Sequence, residues 1–491
     1  MYKKKLPIYC ADFETTSKAQ YEIEKRTRVY LWCIKSLDEQ ESYMGVSINE
    51  FFAQIGSLDK DIICYFHNLS FDGEFIMWWL LEQEYEYCEN LQKVRKPKTF
   101  EPTIDDSGSI FSIRVMYYNT YIEFRCSYKL FPKSIDDIGQ MVGVKKLFET
   151  HNYEEIKDYK SIQEVTNEEK SYINNDVTIM CKLISYLNDI GINGITMSSS
   201  AYKNWRSDKY AYFLSKNQLI KDSNDEINEI VRKSYRGGIT KVNPVYAGKE
   251  FDDVISFDVN SLYPSVMYDN PMPVGMGHIF NSIAECKKHD YPLYIVVVEI
   301  AQAKVRDGFH SFIGSTAGFS YSRKYEYNNE LENTTLYLWD KEFELFEQIY
   351  DYTGEISKVV GYKQANNVFK DYIDRWYKVK ENARTPAERS LAKLMLNSLY
   401  GKFGMNDSRE SKIPVGVNED GIIYNIIDKL TCYYDKKIAS FITSRARTKF
   451  ATFMNLAGDH FIYGDTDSIY YWGHDIPKIF DGLVDPKKRG Y

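Results

Sequence analysis

The segment Tyr463-Gly464-Asp465-Thr466-Asp467-Ser468 holds the densest chemistry in this chain. In an extended strand, residues i and i+2 share a face, so Asp465 and Asp467 are expected to project together with Thr466 turned away. Two carboxylates so close repel each other unless a cation neutralises them. Hard oxygen ligands suit Mg²⁺ or Mn²⁺. The apolar run at 253–259 delivers a further carboxylate, Asp258, at the end of a predicted strand. Three such groups fit a two-metal site, which clamps the attacking and leaving oxygens of a phosphoryl transfer. Taken alone, the segment also reads as an ordinary turn, in which Asp and Ser are common.

A second segment runs from Lys393 to Gly401 and reads as a helix. Lys393, Asn397 and Tyr400 fall at i, i+4 and i+7 and share one face. A cation, an amide and an aromatic ring so aligned suit a nucleotide. The plain alternative is an amphipathic helix with an exposed lysine. Leu391, Leu394 and Leu396 account for the apolar face but not for Asn397 or Gly401. In the N-terminal half, Asp12 and Glu14 form DxE on a predicted strand. Asn68, Phe71 and Asp72 form NxxFD. Tyr172 and Asp176 form YxxxD at helical i, i+4 spacing.

DxxSLYP from Asp258, KxxxNSxYG from Lys393 and YxDTDS from Tyr463, in this order, resemble motifs A, B and C of family B DNA polymerases. The N-terminal set resembles the three motifs of DEDDy 3′–5′ exonucleases. YRGG at Tyr235–Gly238, and the position of the intervening segments, resemble the protein-primed subgroup of phi-twenty-nine-like podophage enzymes.

The resemblance implies a multidomain α/β and α+β fold, with an RNase H-like exonuclease followed by palm and fingers. It implies an exonuclease at 1–190, palm at 191–268 and 433–491, fingers at 361–404, and insertions TPR1 at 269–360 and TPR2 at 405–432. TPR1 is implied to receive a terminal priming protein. The thumb and the KxY motif that follow motif C in the family are expected to be missing after Tyr491, by truncation or by separate encoding.

The implied metal ligands are Asp12, Glu14, Asp72 and Asp176 in one site and Asp258, Asp465 and Asp467 in the other, with two Mg²⁺ ions each or Mn²⁺ in their place. Tyr172 would orient the attacking water. Val259, Tyr263, Lys393, Asn397 and Tyr400 would bind nucleotide, Tyr263 excluding a 2′-hydroxyl. Thr15, Asn68, Phe71, Ser127, Tyr235, Gly237, Gly238, Ser261, Thr466 and Ser468 would contact DNA. The family has Leu after that Ser; here Tyr128 offers a stacking ring instead. A lysine assisting exonucleolysis corresponds to Lys146 or Lys145. The expected partners are template and primer DNA, dNTPs and a priming protein, in a phage's host cytoplasm, with the protein a monomer off the membrane. An exonuclease-only fragment, a linear-plasmid polymerase and a non-catalytic docking module are the alternatives.

The elements that must position these residues follow from periodicity. Strands are expected at 7–13 and 61–66, a hairpin within 110–130 and a helix over 167–190 opened by Asn167. A polar helix pair precedes YRGG. Residues 270–360 read as turns and short strands, 363–400 as helix broken near Pro386, 405–430 as a small hairpin and 438–456 as helix. A length of 491 residues suits several domains. Eight cysteines without any CxxC spacing exclude a zinc ribbon and point to a reducing compartment. No apolar run approaches a membrane span. The net charge of −8 and the 42 tyrosines do not by themselves decide partners, since metal-binding carboxylates lower the sum. The basic runs Lys93–Lys98 and Lys487–Arg489 read first as solvated loops.

Overall fold

The computed structural model describes residues 6–17, 20–22, 26–147, 156–314, 329–419, 421–430 and 435–473. Lys487–Arg489 and Cys432 lie outside them; the seven described cysteines are free thiols. The chain divides into two compact units. The first comprises Met1–Lys203, Val379–Met395 and Asn406–Thr431, the second Asn204–Lys378, Leu396–Met405 and Cys432–Tyr491.

The first unit is built on an eight-stranded sheet of order β3-β2-β1-β4-β8-β7-β6-β5. These are β1 (Ile8–Thr15), β2 (Val29–Ser36), β3 (Ser42–Gly45), β4 (Ile62–Phe66), β5 (Glu86–Tyr87), β6 (Thr99–Ile104), β7 (Ile110–Tyr117) and β8 (Thr120–Cys126). β1 runs parallel to β4 and antiparallel to β2. Such a central strand is buried on both faces, which is why IYCADF is nearly continuous in apolar residues. Phe13, Phe51, Phe66 and Phe124 pack edge-on or stacked in the core beneath it.

Helix Asn167–Asp189 packs on β1 and β2. Its cap is Thr166, one residue before the expected start. The Thr166 hydroxyl accepts from Glu169 N (3.2 Å) and the Glu169 carboxylate accepts from Thr166 N (3.0 Å). This reciprocal box fixes where the helix begins, and hence its register on the sheet. The hairpin of β15 (Ser408–Asn418) and β16 (Gly421–Leu430) joins this unit, with Ile422 and Tyr424 packed against its core.

The second unit has two four-stranded sheets. One has the order β10-β18-β17-β9, from β9 (Thr240–Val242), β10 (Val254–Asp258), β17 (Phe461–Asp465) and β18 (Ser468–Trp472). Helix Lys436–Ala457 backs it, sharing Phe450, Ala451 and Met454 with Phe461 and Ile469 in one core. The other has the order β11-β14-β12-β13, from β11 (Met272–Phe280), β12 (Leu293–Val305), β13 (Glu330–Trp339) and β14 (Tyr350–Ala365).

These last strands correct the expectation of short strands at 270–360, since β12 and β14 span 13 and 16 residues. Register shifts in their pairing bend the long ribbons, and such irregularities break the alternation that would have marked a long strand. Three helices precede YRGG rather than two: Met197–Trp205, Lys209–Asn217 and Asp225–Ser234. Among the described residues, no helix is long and apolar enough to cross a membrane.

Candidate active sites

In the first unit, β1 carries Asp12 and Glu14, and Asp12 lies opposite Cys33 of β2. β4 ends at Phe66, and Asn68 takes a left-handed conformation (φ 62°) to open helix Leu69–Glu82. Asp72 therefore sits in that helix's first turn, where the helix dipole favours a carboxylate. Tyr172 and Asp176 lie one turn apart on helix Asn167–Asp189.

Burial first, and the Asp176 carboxylate second, push the Asp12 carboxyl up to about 7. Burial and then Asp12 hold Asp72 well above the carboxylate range. Asp72 is 3% exposed, and its Oδ1 has no hydrogen-bond partner among the described residues. Lys146, rather than Lys145, meets this group: its Nζ is 3.1 Å from Asp176 Oδ2 and lies over the Tyr172 ring at 5.5 Å.

Among the described residues, no three His, Cys, Asp or Glu side chains converge to metal-ligand spacing. The carboxylates instead act on one another in pairs, with Lys146 as the nearby positive charge. A buried carboxylate oxygen without a donor is costly, and a hard cation is the partner that satisfies it. The donor set of Asp12, Asp72 and Asp176 therefore fits Mg²⁺ or Mn²⁺, with Glu14 half-buried two residues along β1 from Asp12.

Phe71 is 50% exposed and rests edge-on against Phe75, so a ring face is open to a base. Asn68 is exposed and Thr15 half-buried. Ser127 is among the residues expected to contact DNA. It is fully buried, its hydroxyl donating to Phe66 O (3.1 Å) and meeting His67 Nδ1 (2.9 Å). Burial pushes His67 down to about 4, so it is neutral and acts as a packing and hydrogen-bonding group. Tyr128, edge-on to His67, is the exposed ring at this point.

In the second unit, Asp258 at the end of β10 pairs in register with Ser468 of β18, and Asp465 of β17 pairs with the same Ser468. The ladder thus draws Asp258 and Asp465 to one end of one sheet. Asp258 and Asp465 are exposed and Asp467 half-buried. The expectation that Asp465 and Asp467 alternate along one strand is corrected. Thr466 has φ 58°, and Asp467 N donates to Asp465 O at 2.6 Å, so the pair flanks a tight turn.

The turn is gripped on every side. Thr466 N donates to Ile239 O (2.7 Å) and Val259 N to Asp467 O (2.7 Å). The Thr240 hydroxyl donates to Asp465 Oδ1 (2.7 Å), as does that of Thr466 (3.0 Å). A side chain at Gly238 would place its Cβ 2.7 Å from the Thr466 hydroxyl, so glycine here permits the approach. Ser468 donates its hydroxyl to Asp465 O (3.3 Å).

Ser261, also left-handed (φ 56°), starts helix Leu262–Asp269 and so orients Tyr263. The Tyr263 ring stacks on Tyr400 with centroids 4.4 Å apart. Burial raises both phenols, which remain protonated donors. Helix Pro386–Phe403 buries Leu391, Met395, Leu396 and Leu399, and leaves Lys393 and Asn397 exposed on its other face. Tyr235 packs against Gly404.

Arg447 was not singled out from the sequence. It is buried and forms a double hydrogen bond with Glu342 (2.8 and 2.9 Å). Its Nη1 donates to Arg236 O (2.6 Å) and Gly237 O (3.3 Å), which holds the YRGG loop. The arginine and its glutamate stand 105 residues apart, and no local pattern couples them. Thr240, two residues past YRGG, was missed for the same reason.

A family model described as DNA polymerase type B, organellar and viral, matches residues 142–481. The DNA polymerase of Bacillus phage Nf is 32% identical over 99% of this chain and 83% of its own length. That of Bacillus phage phi29 is 30% identical over 99% of this chain and 83% of its own. The solved structure of phi29 DNA polymerase with primer-template DNA and incoming nucleotide substrates has a TM-score of 0.89 at 29% identity. It is matched over 100% of this chain and 84% of that one. The chain belongs to the organellar and viral type B DNA polymerases, among the phi29-like, protein-primed phage enzymes that carry a 3′–5′ exonuclease.

Proposed function

We propose that Asp258, Asp465 and Asp467 carry template-directed nucleotidyl transfer, and that Asp12, Glu14, Asp72 and Asp176 carry removal of mispaired 3′ ends. Supporting the first assignment is the register that draws Asp258 and Asp465 onto the same Ser468. Supporting the second is the buried, electrostatically coupled carboxylate group around Asp12. Each set would hold two Mg²⁺ ions, which when bound neutralise phosphate charge and sharpen the attacking oxygen.

The chain's own residues do the rest. In polymerisation, Lys393 meets the triphosphate, Asn397 and Val259 border it, and the Tyr263–Tyr400 stack supports sugar and base. The primer 3′-hydroxyl attacks the α-phosphate in line and pyrophosphate leaves. In exonucleolysis, Phe71 and Asn68 hold the frayed strand and Tyr172 orients water, with Lys146 beside Asp176 to offset developing negative charge.

In this reading, 1–190 is the exonuclease, 191–268 and 433–491 the palm, and 361–404 the fingers. The insertion at 269–360 receives a priming protein whose hydroxyl starts the strand, and that at 405–432 aids strand displacement on a linear phage genome. The test is primer extension and single-strand degradation with Mg²⁺. Asp258→Ala or Asp467→Ala is expected to abolish incorporation and Asp12→Ala/Asp72→Ala degradation. Equal activity in the variants would sink the assignment.

A further inference from the structure

Helix Lys209–Asn217 in the second unit carries a surface that the two sites do not use. Its inner face buries Ala211 and Leu214. Lys209, Tyr212, Phe213 and Lys216 fall at i, i+3, i+4 and i+7 and therefore form one outer stripe. Tyr212 and Phe213 are 52% and 51% exposed, and both lysines are exposed. Arg206, one turn earlier, extends the stripe with its guanidinium 5.3 Å from the centre of the Tyr212 ring. Asp208, which precedes the helix, is engaged in capping, its carboxylate accepting from Tyr210 N (2.8 Å) and Ala211 N (3.0 Å).

Two adjacent large rings held open on a helix invite a partner with flat apolar faces. Cations bracketing them invite a partner with regularly spaced negative charge. A water-facing apolar patch seeking a second copy of this chain would not be bracketed by like charges. Single-stranded nucleic acid meets both demands, since every base offers a π-face and every link a phosphate. We propose that the stripe Lys209–Tyr212–Phe213–Lys216 is an auxiliary binding surface for single-stranded DNA, separate from the two catalytic sites. The proposal rests on the DNA polymerase reading only in choosing DNA over RNA.

The test uses the full chain, without divalent metal so that the strand is not degraded. A fluorescein-labelled oligodeoxythymidine carrying 5-iodouracil is photocrosslinked and the attachment points are mapped by mass spectrometry. Crosslinks at Tyr212 or Phe213, with binding about tenfold weaker in Tyr212→Ala/Phe213→Ala, are the expected result. Tyr212→Phe keeps the ring and is expected to keep the affinity. Lys209→Ala/Lys216→Ala should flatten the log–log salt dependence by about 1.4. No crosslink within 206–217 and unchanged affinity in the double aromatic variant, at an unchanged thermal midpoint, would overturn the proposal. So would a loss that is equal for blunt duplex, a tighter signal with oligoribonucleotide, or a shift in sedimentation showing that the rings join two copies. Dideoxy-terminated extension by the wild type is run in parallel with Mg²⁺. Its failure would count against the polymerase assignment while leaving the crosslink map to decide the stripe.

Discussion

The two groups of carboxylates sit in contrasting surroundings. Around Asp12 the helix acids Asp72 and Asp176 are buried against the half-buried end of β1, so burial and mutual repulsion raise Asp12 and Asp72. Around Asp465 the acids stand at a sheet end in contact with water, and hydroxyls and backbone amides hold the turn. A buried set stores its repulsion until a cation enters. An exposed set lets water screen the repulsion and relies on hydrogen bonds for geometry.

The sharpest way to break this comparison is to remove one acid from each side. Asp467→Ala should lower incorporation by about 10³-fold, since metal-held charge stabilisation amounts to several kcal/mol at 1.4 kcal/mol per tenfold. Degradation should persist. Asp72→Ala should do the reverse, and a loss of both activities in either variant would show that the sets are not independent.

Next in size is the buried pair beneath the exposed set. Glu342→Ala leaves Arg447 charged and unpaired, at a cost of about 3–5 kcal/mol. The melting of the second unit should fall and incorporation with it, because Arg447, which holds the YRGG loop, loses the carboxylate that positions its guanidinium. Calorimetry with a degradation assay on the same variant checks that the first unit is spared.

The pH dependence is expected from the buried set. The folded value of Asp12, about 7, exceeds that of an unfolded aspartate, roughly 4. The folded state therefore binds more protons between these values. The stabilisation is complete below about 4 and is lost as pH rises to about 7, by a few kcal/mol. Metal-free denaturation curves across that window should show it, Mg²⁺ should remove it, and Asp12→Asn should flatten it.

Smaller still is Gly238→Ala, whose methyl would crowd Thr466 at about 1–3 kcal/mol. It should lower incorporation several-fold more than degradation. The smallest effect is Tyr400→Phe. It keeps the stack on Tyr263 and loses only the hydroxyl, so the KM for nucleotide should shift by less than about threefold. Tyr400→Ser, which removes the ring, should shift it by about tenfold.

The strands β1, β4 and β10 were legible because each is a short, nearly continuous apolar run of strand length. The helix Asn167–Asp189 was legible with its start at Asn167, while the capping role of Thr166 was not. The long strands β12 and β14 were not, because their register shifts break the alternation that marks a strand. A turn within 461–472 was legible, but the left-handed backbone of Thr466 was not, since it is held by contacts with Gly238 and Ile239, more than 200 residues away.

The sequence by itself determined which residue types meet a phosphate, a base and a metal, because those demands are met by side-chain chemistry at short spacing. It offered two groups of carboxylates as candidates, one in the N-terminal half and one around Asp465. Only the tertiary structure decided that Asp72 and Asp176 are buried while Asp258 and Asp465 are exposed, and that Lys146 rather than Lys145 faces Asp176. It also decided that Arg447 ties Glu342 to the loop before Thr240. Burial, charge neutralisation and partner choice depend on segments tens to hundreds of residues apart, and local pattern carries no record of distances across the chain.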